Sequence, residues 1–232
     1  MRPRPPSPAG LLAAVAIAAT VLSGCGSSSD GNGVAAKTPA QIVGGAKILA
    51  DAAKSVAVSG MIRTATSPIT VSLLLLAGKG GRGLISENGI SFQLIQIHGT
   101  VYIKGSPAFY SQIVGARAAQ LLQGRWLKAP ASSGALAPLA SLTDLSKLAD
   151  STLPAHGPLR KGHRTSVNGQ KVIGVTDTST GGTLYVATTG PPYPVQIAMG
   201  AGGNITFSRW NQPVSLFAPA NAIDITALKS GH

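Results

Sequence analysis

Two dipeptides, Asn88-Gly89 and His98-Gly99, constrain this chain more than any other feature in it. Each joins runs of alternating apolar residues, and both pairs tolerate the positive φ angles that two-residue hairpin turns require. Taken literally, the turns fix strand register. Ile85 faces Phe92 and Leu94 faces Ile103, so Ile85, Ile90, Phe92, Leu94, Val101 and Ile103 share one face. Ser86, Ser91, Gln93, Thr100 and Lys104 fall on the other.

The alternation continues upstream. Val56, Val58 and Ile62 alternate with smaller or polar residues, and Ile69, Val71, Leu73 and Leu75 alternate first with Thr70 and Ser72, then with Leu74 and Leu76. The second of these strands therefore begins half-buried and ends apolar on both faces. Before them, Thr38-Pro39-Ala40-Gln41 has the form of a helix start, with Thr38 as cap, Pro39 in the first turn and Gln41 three residues after the cap. Ile42, Val43, Ala46, Leu49, Ala50 and Ala53 recur at helical spacing, which predicts a helix over about 39–54.

Beyond the hairpins, Pro107 to Gln123 is helix-permissive, anchored by Phe109, Ile113, Leu121 and Leu122 and stopped by Gly124. Arg125 to Pro130 reads as a short strand and Ser132 to Pro138 as loop. Leu142, Leu145 and Leu148 form the apolar stripe of a short helix over Ser141 to Leu148. Strands return around Thr165 to Val167, Lys171 to Asp177, Thr183 to Thr188, Pro194 to Met199 and Ile205 to Trp210, with a turn at Asn168-Gly169. Pro213 to Ile225 carries Pro219, which favours a sheet edge. Helix, hairpins, two helices, hairpins is an α+β order with a mostly antiparallel sheet. With 232 residues, 44% hydrophobic and 11% charged, the chain has the composition of a folded domain rather than of a disordered one.

The N-terminal segment sets the compartment. Arg2 and Arg4 precede an uncharged apolar run, Leu11 to Leu22, too short to span a hydrocarbon core of about 30 Å but suited to the centre of a signal peptide. It ends in Leu22-Ser23-Gly24-Cys25, and Cys25 is the only cysteine. This four-residue box resembles those of bacterial lipoproteins, in which the cysteine carries diacylglycerol and becomes the new N-terminus. Gly26 to Gly33, rich in glycine and serine, reads as tether. The expected organisation is a leader over 1–24, a flexible tether over 25–37 and one domain over 38–229, lipid-anchored at the outer face of the cell membrane. A net charge of +12 would suit nucleic acid, but an exported chain meets an anionic membrane instead.

Motifs for bond chemistry are sparse. Gly78-Lys79-Gly80-Gly81-Arg82-Gly83 matches G-x-G-x-x-G, yet it lies between two strands and opens no helix, so it reads as a cationic hairpin loop rather than a phosphate cradle. His156 and His163 flank a segment with Arg160 and Lys161, and with Arg164 these cations would repel a metal; a solvated basic loop is the reading. Asn204-Ile205-Thr206 has the form of a glycosylation sequon and reads as a turn. There is no G-x-S-x-G elbow and no P-loop. No enzyme activity, metal or cofactor is expected; an unrecognised hydrolase would need a Ser/His/Asp cluster assembled by the fold.

Several segments, in order, resemble the LppX/LprAFG lipoproteins of mycobacteria and related actinobacteria. They are the lipobox and tether, the first helix, Gly99-Thr100-Val101-Tyr102-Ile103-Lys104 followed by Arg125-Trp126-Leu127-Lys128, the Leu142 to Leu148 segment, Gly182-Thr183-Leu184-Tyr185-Val186 with Pro194-Val195, and Ile205 to Val214 with Ala218-Pro219. The resemblance implies a LolA/LolB-like fold, a strongly curved antiparallel sheet or half-barrel whose concave apolar face is covered by helices. It also implies binding and carriage of acylated lipids or glycolipids, with an envelope lipid exporter as a candidate partner. On that reading Cys25 is the anchor, and Ile69, Val71, Leu73, Leu75, Ile85, Phe92, Leu94, Val101 and Ile103 line the cavity, capped by Leu142, Leu145 and Leu148. Lys79, Arg82, Arg160, Lys161 and Arg164 are candidate headgroup contacts. An interaction or sensor module on the same fold is the alternative.

Overall fold

The structure, a computed structural model, describes Met1 and residues 31–133, 137–152 and 157–226. The leader after Met1, the lipobox and Cys25 lie outside the described residues, as do His156 and the end of the expected domain at 227–229.

The Thr38 cap forms as its sequence predicts. Gln41 N–H donates to Thr38 Oγ1 at 3.3 Å and Thr38 N–H to Gln41 Oε1 at 3.0 Å, starting α1 (Pro39–Asp51). A meander follows: β1 (Ser55–Arg63), β2 (Pro68–Leu76), β3 (Gly80–Glu87), β4 (Ile90–Ile97) and β5 (Thr100–Gly105). Next come α2 (Pro107–Val114), α3 (Ala116–Leu122), β6 (Leu127–Pro130), α4 (Ala137–Ser141) and α5 (Leu145–Thr152). A second meander, β7 (Leu159–Val167), β8 (Gln170–Asp177), β9 (Thr183–Ala187), β10 (Pro194–Ala198) and β11 (Gly203–Ser208), precedes the two-residue β12 (Ile223–Asp224).

Among the described residues, all twelve strands join one curved sheet in the order β12-β6-β5-β4-β3-β2-β1-β11-β10-β9-β8-β7. It is an α+β half-barrel, antiparallel except where β12 runs parallel to β6. The two meanders meet where β11 pairs with β1. Asn88 and Gly89 have φ of 49° and 76°, and His98 and Gly99 of 50° and 72°, so both turns use the left-handed region. Their register is the one that the turns dictate, Ile85 opposite Phe92 and Leu94 opposite Ile103.

The inner face carries two linked clusters. Over β1 to β6, Val56, Val58, Leu73, Leu75, Leu94 and Val101 pack with Leu145 of α5. Over β8 and β9, α1 buries Ile42, Ala46 and Ala50 against Ile173, Val175, Leu184 and Val186. Ile197 and Trp210 touch both, so the core is continuous along the sheet.

Four local expectations are corrected. The helix expected over 107–123 is broken at Gly115, whose φ of 80° is outside the helical range, and Leu121 is 80% exposed rather than an anchor. The helix expected over Ser141 to Leu148 is interrupted: Thr143 Oγ1 donates back to the Ala140 carbonyl at 2.9 Å, and Asp144 Oδ1 accepts from Ser146 N–H and Lys147 N–H, capping α5 instead of continuing α4. The basic loop around His163 is strand β7, at the sheet edge. Asn204 to Thr206 lies in β11 rather than in a turn. Of Pro213 to Ile225, only Ile223 and Asp224 pair as strand, and that strand is at a sheet edge.

Candidate functional site

Strand register sorts the inner-face residues of the first meander into four transverse rows. The first is Val56, Leu75, Gly81, Gln96, Val101 and Ala129; the second is Val58, Leu73, Gly83, Leu94, Ile103 and Leu127. The third is Gly60, Val71, Ile85, Phe92 and Gly105, and the fourth is Ile62, Ile69, Glu87 and Ile90. Burial falls steadily across them. Val56, Leu75 and Val101 are fully buried, and Thr143, also fully buried, closes that end through its hydrogen bond with Gln96. In the third row Val71 and Phe92 are half-buried, and in the fourth row Ile62, Ile69 and Ile90 all are.

Glycines shape this face. A Cβ at Gly83 would stand 2.6 Å from Leu73 Cδ2 and 2.3 Å from the Ser72 carbonyl oxygen, and one at Gly105 would stand 2.1 Å from Phe109 Cδ1. Neighbouring apolar side chains thus lie flat over the bare backbone. Phe109 of α2 packs on Phe92 with ring centroids 4.9 Å apart and edges toward Tyr110 at 5.6 Å. The Tyr110 hydroxyl accepts from Gly105 N–H at 2.9 Å and donates to the Arg125 carbonyl at 2.8 Å, so α2 is fastened to the end of β5. Burial pushes the Tyr110 phenol above its usual range, with the Gly105 hydrogen bond opposing.

The fold brings most of the expected lining residues together. Leu73, Leu75, Ile85, Leu94, Val101, Ile103 and Leu145 are buried in one cluster, with Ile69, Val71, Phe92 and Leu148 half-buried against it. Leu142 is not among them: it sits in the break between α4 and α5 and is 37% exposed. The open end also contains residues that the sequence reading did not place there. Ile62 belongs to it through the alternation of β1, whereas Ile197, Met199 and Phe109 pack there through contacts distant in sequence.

The candidate headgroup cations do not form one cluster. Lys79 is in the β2–β3 turn, and Arg82 is in strand β3, on the outer side opposite Leu74 and Ile95, rather than in a loop. Arg160 and Arg164 are on edge strand β7 and exposed. Lys161, beside Val175, extends to the N-terminal segment, where its ammonium donates to the carbonyls of Ala35 at 3.1 Å and Lys37 at 2.9 Å. That segment departs from the free tether expected over 25–37: Val34 is 3% exposed, and Asn32 N–H donates to the Thr188 carbonyl at 2.8 Å. A turn of 3-10 helix over Val34–Ala36 and the Asn32 side chain, bonded to the carbonyls of Ala187 and Gly190, hold it against the second meander.

Among the described residues, no three His, Cys, Asp or Glu side chains gather as metal ligands, and no helix is long and apolar enough to cross a membrane. His98 is in the β4–β5 turn and His163 in the irregular stretch of β7.

No known family profile matches the chain, and no curated protein sequence does. Among solved structures, LprF from Mycobacterium bovis is similar at a TM-score of 0.54 and 16% identity, over 79% of this chain and 97% of that one. The likeness establishes an LprF-like fold.

Proposed function

We propose that this chain is an envelope lipoprotein, anchored by diacylglycerol on Cys25, that holds the acyl chains of a lipid or glycolipid on the inner face of its half-barrel. The observation that carries the reading is the gradient of burial across the four rows: a sealed end at Leu75 and Val101, and an apolar end at Ile62, Ile69, Ile90 and Phe92 left only half-covered. An acyl chain laid along that end would bury its methylenes at about 0.8 kcal/mol each with no bond made or broken. Ile197 and Met199 of the second meander extend the same apolar strip. The fold likeness to LprF agrees with the ordered sequence resemblance, and the leader, the tether before Asn32 and the membrane location belong to the proposal with it.

In this reading the protein is a carrier between the cytoplasmic membrane and more distal envelope layers, and an exporter would deliver or collect the lipid. The test is native mass spectrometry of the full chain extracted in mild detergent. Carriage predicts an added mass that fragments to fatty acids. A ligand-free protein whose melting temperature is indifferent to added acyl lipids would overturn it.

A further inference from the structure

The outer side of the first meander bears a second apolar surface. On that side Ala57, Leu74, Arg82, Ile95 and Tyr102 stand side by side across five strands, with Leu84 in the adjoining row between Ser72 and Gln93. Antiparallel sheets with one packed face usually turn polar residues to the other. Here Leu84 is 45% exposed, Leu74 and Ile95 are half-exposed, and none of the three joins the core clusters. Leu74 is an outward residue of the doubly apolar end of β2.

These side chains border an open groove of about 480 Å³, at whose lining Trp126 and Arg209 are added. Arg82 and Arg209 are both exposed, and among the described residues no acidic one lines the groove. Arg209 Nε donates to Gln212 Oε1 at 3.1 Å, and the guanidinium has four further N–H donors on its terminal nitrogens. Lys104 lies opposite Gln93, while Lys128 is next to Asp224 at the far edge.

We infer that this outer face lies against an anionic lipid surface. Aliphatic side chains, a tryptophan and a tyrosine interspersed with arginine and lysine make up the composition that settles at a bilayer interface, rings at the headgroup level and cations on phosphates. Charge selects the occupant. A second copy would bring like charges together, whereas an anionic bilayer complements Arg82, Arg209 and Lys104 at once and needs no matching shape. The face is on the opposite side of the sheet from the acyl-binding rows, so each reading can fail without the other.

The test uses the full chain reconstituted in vesicles of phosphatidylcholine, alone or with phosphatidylglycerol, carrying acyl-brominated lipid. Tryptophan quenching is read, and Trp126→Phe separates the Trp126 signal from that of Trp210. Trp126 should be quenched in the anionic vesicles and released by high salt. Arg82→Ala with Arg209→Ala should lower the docked fraction relative to undocked by about 30-fold, from about 1 kcal/mol per cation. Circular dichroism confirms that the exposed-site variant is folded, and Arg82→Lys with Arg209→Lys should restore quenching. Equal quenching in neutral and anionic vesicles overturns the inference, as does its absence in both, which would leave the face to a protein partner.

Discussion

Lys47 on α1 and Asp150 on α5 meet at 2.7 Å across 103 positions of chain, and Lys47 is also 2.7 Å from Asp51 on its own helix. The contact joins the helix over the second meander to the helix over the first. The hydrogen bonds that the Lys47 ammonium donates to Asp150 and then to Asp51 raise its pKa above the usual range. Its contribution is complete below the ordinary lysine range and fades as pH rises through the folded value. Lys47→Met should lower the melting temperature slightly at low ionic strength, with the difference shrinking in about 1 M salt, where screening acts within about 3 Å. Calorimetry at two salt concentrations checks this.

Alkaline destabilisation should also pass through Tyr110. Its raised folded pKa means that the folded protein holds the phenol proton more tightly, so stability is intact below the reference value of 10.0 and falls above it. Tyr110→Phe removes both hydrogen bonds of the hydroxyl and should cost about 1–3 kcal/mol at neutral pH, since Gly105 N–H and the Arg125 carbonyl lose a partner. Urea unfolding of the variant should show a weaker pH dependence between pH 9 and 11 than that of the parent.

The packed and open ends of the inner face should respond differently. Leu94→Ala, at a residue with no exposure, should cost about 2–5 kcal/mol, whereas Leu142→Ala should change stability by less than about 0.5 kcal/mol. Ile69→Asn in the open row should lower the melting temperature less than Leu94→Ala does and weaken acyl-lipid binding by about tenfold to a hundredfold, from the loss of about 1.5–3 kcal/mol of apolar contact. Denaturant titration and a fluorescent fatty-acid displacement assay read the two effects.

Gly83→Ala should be destabilising by about 1–3 kcal/mol, because the added methyl meets both the Ser72 carbonyl and Leu73. Chevron kinetics or equilibrium urea curves measure it. Gly89→Ala, in a turn with no atom within 4 Å of a Cβ, should be destabilising through its φ of 76° alone, by about 1 kcal/mol.

What was legible in the sequence follows from how local the controlling physics is. The Thr38 cap and the Asn88 and His98 turns act within a few residues, and from them came the start of α1, the hairpin register and the shared face from Ile85 to Ile103. The break before α5 combines local bonds, from Thr143 to the Ala140 carbonyl and from Ser146 and Lys147 to Asp144, with Thr143 reaching Gln96 47 residues away, and leucine spacing alone reveals none of them. Strand β7 carries no alternation to read: every residue from Arg160 to Ser166 is exposed, and pairing with β8 alone makes it a strand. The docked segment from Asn32 to Lys37 has a tether's composition, and contacts with Ala187, Thr188 and Lys161 order it. The open end of the inner face similarly combines Ile62 with Met199 and Phe109, which only the pairing and curvature of the whole sheet bring together.

An open half-barrel has free borders, and a bare border is an invitation for another strand to add. β7 occupies one of them, carrying Arg160, Lys161, His163 and Arg164 with its ladder disturbed between Lys161 and Arg164. Charge and irregularity together make that margin a poor template for self-propagating assembly. The basic stretch that reads as a solvated loop is thus a guard strand: it disfavours pairing of another copy along that margin while the sheet stays unclosed, with one apolar end half-covered.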